Sequence, residues 1–134
     1  MPAHLSCEKV LADASAQAMF LTFAKAEFSE ENLEFWIAVS EFHRKWDAGE
    51  DKTSLLEGMF TEYLNPGSLK QVCIGDSKVN ALKAKMKEAN VATLKGLFDD
   101  AQEIALKTLK EDIFPRFEEH TDGQALLGAG THNQ

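Results

Sequence analysis

The chain has 134 residues, and its 14 Lys and Arg against 22 Asp and Glu give a formal net charge of −8. That length fits one domain and can bury a hydrophobic core without disulfide or metal staples. The negative charge argues against nucleic-acid binding, which needs clustered Lys and Arg to neutralise phosphates. Cys7 and Cys73 stand far apart, so neither a disulfide framework nor a zinc site is expected. Apolar runs span only a few residues, which predicts no membrane insertion.

The residue composition predicts an all-α domain. Ala and Leu together number 32, whereas Val and Ile together number 9, the reverse of what a β-sheet favours. The three prolines, Pro2, Pro66 and Pro115, leave long stretches free of helix breakers. We therefore expect helices connected by short loops.

Apolar residues at helical spacing predict the first helices. One stripe begins at Leu11 and continues through Phe28, the last of a series of aromatic residues. Ser29 is the predicted N-cap of the next helix, with acidic residues following it where the helix dipole favours negative charge. That helix is the clearest in the chain and should end near Gly49, which suits a C-cap. Its apolar face consists of Phe35, Val39, Phe42 and Trp46.

The second half of the chain predicts three further helical stretches. An apolar face over residues 56–64 ends at the turn formed by residues 65–68, and residues 69–76 are expected to be a loop. Asp76 or Ser77 is the predicted cap of the helix that follows. Asp99 or Asp100 is the predicted cap of the next helix. Pro115 is expected to end or kink that last pattern.

No motif for an active site of its own is found in the sequence. The four histidines show no metal-binding spacing, and no glycine-rich phosphate loop or nucleophile motif is present. We therefore expect no metal and no cofactor. Clustered carboxylates can serve as a catalytic acid and base, but a helix N-terminus with a solvated face explains this cluster better. Its members are Glu27, Glu30, Glu31 and Glu34.

Residues 20–36, FLTFAKAEFSEENLEFW, closely resemble the signature of the RGS family, the regulators of G-protein signalling. Three further stretches agree in order and spacing: residues 63–68, YLNPGS; residues 98–102, FDDAQ; and residues 112–117, DIFPRF. The resemblance is strongest over residues 6–120. It identifies residues 1–134 as a single RGS-like domain, with 121–134 expected to be a partly flexible tail.

The resemblance implies an all-α fold of about nine helices. A four-helix bundle is expected from roughly residues 50–111, and a second subdomain from the N-terminal and C-terminal helices. Six aromatic residues are expected in the core: Phe35, Trp36, Phe42, Phe60, Phe98 and Phe117.

The resemblance implies a GTPase-activating protein (GAP) for the α subunit (Gα) of a heterotrimeric G protein. Such a domain is not an enzyme: it holds the switch segments of GTP-bound Gα in their transition-state arrangement and so ends signalling. The implied location is the cytoplasm, at the inner face of the plasma membrane, and we expect a monomer. The alternative is an RGS-fold docking or scaffold module that binds Gα or another partner without accelerating hydrolysis.

Three groups of residues match the Gα-contacting positions of the family. The first group is Ser29, Glu31 and Asn32; the second is Cys73, Ile74, Gly75 and Asp76; the third is Thr108, Asp112, Ile113 and Arg116. A capping role explains Ser29 well but explains Asn32 poorly, because an interior Asn disfavours a helix. Asp112 and Arg116 lie four residues apart and could also form a simple ion pair. In the family, this arginine braces the acid that faces a switch segment.

The second group departs most from the family pattern. Cys73 stands where the family usually has an Asn that orients the catalytic glutamine of Gα, and this loop is one residue longer. Cysteine is a weak hydrogen-bonding group. In the third group, Thr108 replaces a usual Leu and Ile113 a usual Ser. These departures bear on the strength of the GAP activity and on the choice of Gα, and they leave the fold expectation unchanged.

Overall fold

The computed structural model describes residues 6–68, 70–72, 74–120 and 123–125. These residues form helices, turns and loops and contain no β-strand. The all-α prediction is therefore confirmed. The helices are α1 (Cys7–Ala12), α2 (Ala14–Ala26), α3 (Glu31–Asp47), α4 (Lys52–Met59), a π-helical turn (Phe60–Leu64), α5 (Asp76–Glu88), a 3-10 turn (Val91–Thr93), α6 (Asp99–Glu111) and α7 (Ile113–Glu119).

Side-chain caps and glycines set several of the helix boundaries. Asp13 begins α2 by accepting a hydrogen bond from the Ala16 amide at 2.8 Å, and Asp51 begins α4 by accepting one from the Ser54 amide at 2.9 Å. At the end of α3, Gly49 has a φ of 85°, and its amide donates to the Trp46 carbonyl. This left-handed residue ends the helix as the sequence predicted.

The chain forms two compact units, and the first combines residues 1–33 with residues 107–134. Its core contains a cluster of aromatic rings contributed by α2 and α7. The ring of Phe20 lies 4.9 Å from that of Phe117 and 5.5 Å from that of Phe114, centroid to centroid. Phe20 and Phe117 are completely buried. The prediction that N-terminal and C-terminal helices form one subdomain is confirmed.

The second unit contains residues 34–106. Helices α3 to α6, the π-helical turn and the connecting segments supply one hydrophobic cluster, in which the Phe98 ring lies 5.2 Å from Phe42 and 5.5 Å from Phe60. Gln102 reinforces this packing because its side-chain amide donates to the Trp36 carbonyl and to the Ser40 hydroxyl. Trp36 itself is only partly buried. The other five aromatic residues predicted for the core are buried: Phe35, Phe42, Phe60, Phe98 and Phe117.

The predicted bounds of the helical bundle, residues 50–111, were wrong at both ends. Most of α3 belongs to the second unit, because Phe35, Val39, Phe42 and Trp46 are part of its hydrophobic cluster. At the other end, residues from Lys107 onward belong to the first unit. The sequence pattern located the apolar face of α3 but could not show which elements that face contacts.

The predicted tail, residues 121–134, lies largely outside the described residues, and only Gly123–Gln124–Ala125 are described, as helical. Gly123 is buried, and a Cβ atom there would collide with the backbone of Phe117. A larger side chain would force this segment away from α7. Among the helices of the described residues, none is long and apolar enough to cross a membrane.

Candidate functional site

The first group of predicted site residues lies at the turn between α2 and α3, in the first unit. Phe28 has a φ of 55°, the one positive φ of a non-glycine residue among the described residues. Its side chain is 89% exposed, although the sequence pattern had assigned it to an apolar stripe. A left-handed backbone costs a bulky residue about 1 kcal/mol or more. The conformation ends α2: the Phe28 amide donates to the Lys25 carbonyl at 3.1 Å and the Ser29 amide donates to the Ala24 carbonyl at 2.9 Å, so these two hydrogen bonds offset the backbone cost.

The capping prediction for Ser29 was wrong. Helix α3 begins at Glu31, so Ser29 lies one residue before the N-cap position. Its hydroxyl donates to the Glu27 carbonyl at 3.1 Å, and its amide donates to the Ala24 carbonyl at 2.9 Å. Ser29 therefore closes the C-terminal end of α2. The sequence contained the correct residue types for a cap but not the backbone path that decides which residue occupies it.

Glu31 and Asn32 occupy the first turn of α3, and both are partly exposed. The acidic side chain of Glu31 complements the partial positive charge of the helix N-terminus. Asn32 gains no such benefit and has a weak helix propensity. Its neighbour Leu33 is completely buried, so it supplies the apolar contact that Asn32 does not.

Arg116 of α7, a member of the third group, forms an ion pair with Glu27 at the end of α2, two residues before the first group. Its Nη1 donates to Glu27 Oε1 at 2.9 Å, and its Nη2 donates to Asp112 Oδ1 at 3.5 Å. The side chains of these three residues are 38–66% exposed. Exposed ion pairs contribute roughly 0–1 kcal/mol to stability. Their larger effect here is geometric, because one planar guanidinium fixes the α2–α3 turn against the α6–α7 junction.

The other residues of the third group differ in the exposure of their side chains. Asp112 lies between α6 and α7 and is exposed, as is Thr108 in the last turn of α6. Ile113 is only 2% exposed, so its side chain is unavailable to a partner in this arrangement. We withdraw Ile113 as a contact residue. Its position at the start of α7 predicts a packing role.

The second group belongs to the second unit and ends at Asp76, the first residue of α5. Cys73 lies outside the described residues, so its expected position at the partner surface has no structural description. Ile74 is 7% exposed and belongs to the hydrophobic cluster, so it is also withdrawn as a direct contact. Gly75 and Asp76 are exposed. Gly75 has a φ of 97° and is the N-cap residue of α5, whereas the sequence predicted Asp76 or Ser77 as the cap.

The backbone of this segment is anchored to the π-helical turn. The Val72 amide donates to the Tyr63 carbonyl at 2.8 Å, and Val72 is 1% exposed. Burial raises the pKa of the Tyr63 hydroxyl to about 12, and the nearby carboxylates of Glu62 and Glu34 act in the same direction. The segment before α5 is thus fixed by a backbone hydrogen bond and by buried apolar side chains on both sides of residue 73.

Phe28 and Glu27 are the candidate site residues that sequence reasoning missed. Phe28 follows the aromatic stripe of α2, and that spacing favoured a core position. The signal that could have corrected this prediction is the run of four polar residues after Phe28, which leaves no apolar face for it to join. No comparable signal identifies Glu27, because its partner Arg116 lies 89 residues further along the chain.

Comparison with known proteins identifies the family. A model of the regulator of G protein signaling domain matches residues 6–121. The chain belongs to this family. It is 33% identical over 113 residues to Regulator of G-protein signaling 1 of Xenopus tropicalis, covering 84% of this chain and 54% of that protein. It is 32% identical over 122 residues to Regulator of G-protein signaling 7 of Mus musculus, covering 91% of this chain and 25% of that protein.

A third relative, Regulator of G-protein signaling 1 of Homo sapiens, is 33% identical over 116 residues, covering 84% of this chain and 51% of that protein. This RGS chain thus spans from about a quarter to about half the length of the relatives it matches. The resemblance found in the sequence is confirmed at the level of the family.

Proposed function

We propose that this RGS chain is a GTPase-activating protein for a heterotrimeric G-protein α subunit. The observation that carries the proposal is the family match over residues 6–121, which includes both surface segments described above. The names of the three relatives support it, since each is called a regulator of G-protein signaling.

The proposed mechanism needs no catalytic group from this chain. Gα carries its own arginine in cis, and its glutamine orients the attacking water. Hydrolysis is slow while the switch segments that hold these groups are mobile. A surface that binds their transition-state arrangement more tightly than the ground state lowers the barrier through differential binding. We infer that the chain acts in this way and has no active site of its own.

In the first unit, we assign the switch-contacting role to the α2–α3 turn and the α6–α7 junction. Arg116 supports this assignment because its ion pairs join the two segments. Exposed or partly exposed side chains with hydrogen-bonding groups can then contact the backbone and side chains of a switch segment. These residues are Ser29, Glu31, Asn32, Thr108, Asp112 and Arg116. Phe28 joins the proposed contact surface because of its exposure.

In the second unit, we assign a contact role to Gly75 and Asp76. Both are exposed, and the carboxylate of Asp76 begins α5. Because the family's Asn is replaced by Cys73, we propose that this segment contributes through its backbone and through Asp76. A weaker contribution here makes the segments of the first unit the main determinants of affinity.

The expected partner is Gα in its GTP-bound or transition state, and we infer action as a monomer at the inner face of the plasma membrane. Both features follow from the family resemblance. The family name itself supports only the coarser conclusion, a regulator that acts on G-protein signalling.

Single-turnover GTP hydrolysis on purified Gα tests the proposal. Gα is loaded with GTP, a single round is started with Mg²⁺, and phosphate release is followed with and without an excess of this chain. We expect the rate constant to rise by about tenfold or more, equivalent to about 1.4 kcal/mol of barrier lowering. An unchanged rate, with the complex still detected by light scattering, would favour the docking-module alternative.

A matched pair of variants shows whether the acceleration of GTP hydrolysis depends on the proposed contact surface. Asn32→Ala alters the proposed contact surface, whereas Asn80→Ala makes the same chemical change on the exposed face of α5. We expect the first variant to lose most of the acceleration and the second to keep it. Equal loss in both would mean that the acceleration does not depend on the α2–α3 segment.

A further inference from the structure

A cavity within the second unit lies between the π-helical turn and α5. Its volume is about 340 Å³, and small-molecule sites in proteins measure roughly 300–1,000 Å³. One wall consists of residues between Glu57 and Asn65, and the other consists of residues of α5. None of the residues that line the cavity belongs to the three groups assigned to Gα contact. The cavity is open to solvent, so a ligand can enter it from solution.

Hydrogen bonds fix the wall formed by the π-helical turn. The Asn65 amide donates to the Phe60 carbonyl, five residues earlier, at 2.8 Å. The Ser68 hydroxyl lies 2.8 Å from the Thr61 carbonyl oxygen and 2.7 Å from that of Asn65, so it can donate to either. Helical turns of this π type are rare and are frequent at functional sites. A wall that is already ordered reduces the entropy cost of binding a ligand.

The wall formed by α5 is basic, although the chain as a whole is acidic. Helix α5 contains four lysines against one aspartate and one glutamate, a net charge of +2 in a chain of −8. Two of these residues, Lys83 and Lys87, line the cavity, and their spacing of four residues places them on one face of the helix. Neither ammonium group forms an ion pair with any of the described residues. The two charges repel each other, and an anion bound between them would remove this repulsion.

The remaining lining residues combine apolar and polar groups. Phe60 is buried and Met86 is partly buried, and both contribute apolar surface to the cavity. A methionine side chain is flexible and polarisable, so it adapts to ligands of irregular shape. Thr61 and Asn65 offer hydrogen-bonding groups, and Glu57 carries a negative charge on the wall opposite α5. That charge disfavours an anion at its own side of the cavity, so the anionic group of a ligand belongs beside α5.

We propose that this cavity binds a small, water-soluble phosphate monoester with an apolar body. The phosphate lies between Lys83 and Lys87, because two ammonium groups match a dianion through charge-assisted hydrogen bonds. The apolar body packs on Phe60 and Met86, where burial of apolar surface stabilises it. A cavity of this volume has no room for the two acyl chains of a phospholipid. The site goes beyond the proposed function, and its test needs no Gα.

Titration of the isotope-labelled full chain with phenyl phosphate, followed by amide NMR spectra, tests the proposal. At neutral pH phenyl phosphate is mostly a dianion with an aromatic body, whereas benzoate has one negative charge and inorganic phosphate has no apolar body. We expect saturable shifts at the amides of Thr61, Asn65 and Met86, with phenyl phosphate binding at least about threefold more tightly than either reference compound. No saturation up to about 10 mM, shifts confined to residues outside the cavity, or equal binding of a reference compound would overturn the proposal.

Two double variants separate this site from the general charge of α5. Lys83→Gln with Lys87→Gln removes both cations of the cavity, and Lys78→Gln with Lys85→Gln removes two exposed cations of the same helix that do not line it. We expect the first double variant to weaken phenyl phosphate binding about fivefold to tenfold and the second about twofold or less. Equal losses would contradict the proposal, because the net charge of the helix would then explain the binding.

A single variant on the opposite wall tests the orientation of the ligand. Glu57→Gln removes the negative charge from the cavity with almost no change of shape, so it should raise the affinity for phenyl phosphate by about twofold. Unchanged or weaker binding would show that the phosphate does not lie in this cavity. Melting temperatures of all the variants should agree with that of the wild type, since the altered side chains are exposed or partly exposed.

Discussion

Phe28 and Gly75 offer a direct comparison within this chain. Each precedes a helix, each lies in a segment that the resemblance assigned to Gα binding, and each has a positive φ, 55° and 97° respectively. At residue 75, glycine adopts this conformation without steric cost. At residue 28, a phenylalanine adopts it at a cost of about 1 kcal/mol while gaining no burial.

The difference indicates what each segment requires. The segment before α5 is shaped by its backbone, which the Val72–Tyr63 hydrogen bond and the buried Ile74 side chain fix in place. The α2–α3 turn has an exposed aromatic residue, Phe28. Its preceding residue, Glu27, forms an ion pair with Arg116, 89 residues further along the same chain. The turn has a side-chain ion pair and an exposed ring where the segment before α5 has a backbone hydrogen bond, so we infer that side-chain identity matters more in the turn than before α5.

Among the variants that test this comparison, Asn32→Ala is expected to change Gα binding the most. The α2–α3 segment should lose about 2 kcal/mol of binding free energy to transition-state-like Gα, a decrease in affinity of about 30-fold. Stability should change by less than about 0.5 kcal/mol, since the residue is partly exposed and alanine has the higher helix propensity. Calorimetric titration and thermal melts measure the two quantities. A large decrease in melting temperature with unchanged affinity would make Asn32 a structural residue.

The second prediction compares the effects of removing two cationic side chains of the first unit, Arg116 and Lys110. Arg116→Ala removes ion pairs to Glu27 and Asp112, and Lys110→Ala removes the 2.8 Å pair to Glu8. Both variants lose one positive charge. We expect the first to weaken Gα binding about tenfold and the second about twofold or less, because only Arg116 orders the proposed contact surface. Equal losses at matched ionic strength would attribute the effect to net charge.

A third variant, Gly75→Ala, tests the segment before α5. The positive φ should make alanine unfavourable and lower the free energy of unfolding by about 1 kcal/mol, although, apart from the adjacent residues, no described atom lies within 4 Å of a Cβ placed there. Gly58→Ala is the control because Gly58 lies inside α4, also with open space around it. It should raise stability by about 0.5 kcal/mol. Denaturant unfolding of both variants checks the opposite signs. A stabilising Gly75→Ala would mean that the segment relaxes freely.

The smallest expected change is in the stability of Phe28→Gly. Relief of the left-handed strain should raise the free energy of unfolding by about 0.5 kcal/mol, because the exposed ring gives up almost no burial. Affinity for Gα should decrease at the same time. Chemical unfolding measures the stability and calorimetric titration measures the affinity, and together they would show that the first rises while the second falls. A variant that is destabilised would indicate that the ring packs more than its exposure suggests.

The parts of the structure that the sequence predicted follow from local physics. The apolar face of α3 and the stop at Gly49 depend on helical periodicity and on a left-handed C-cap, both of which are written in consecutive residues. The family signature could be matched to the α2–α3 turn because its residues, 20–36, lie in one continuous run. Buried aromatic residues such as Phe98 followed from the same patterns.

The errors arose where residues distant in the sequence are in contact, or where the path of the backbone determines which residue caps a helix. Ser29 was one residue too early to cap α3, and Gly75, rather than Asp76 or Ser77, is the N-cap residue of α5. Ile113 and Ile74 were assigned to the partner surface from alignment with a family pattern, which contains no information on burial. The Glu27–Arg116 pair joins residues that no local pattern relates.

The central claim is that this chain binds the transition-state arrangement of Gα more tightly than its ground states. The direct measurement is the dissociation constant of the complex with one Gα in three forms: bound to GDP, bound to a non-hydrolysable GTP analogue, and bound to GDP with aluminium fluoride. We predict that the aluminium fluoride form binds tightest, by about tenfold or more over the GTP analogue. Equal affinity for the last two forms would contradict the claim, because uniform binding lowers no barrier.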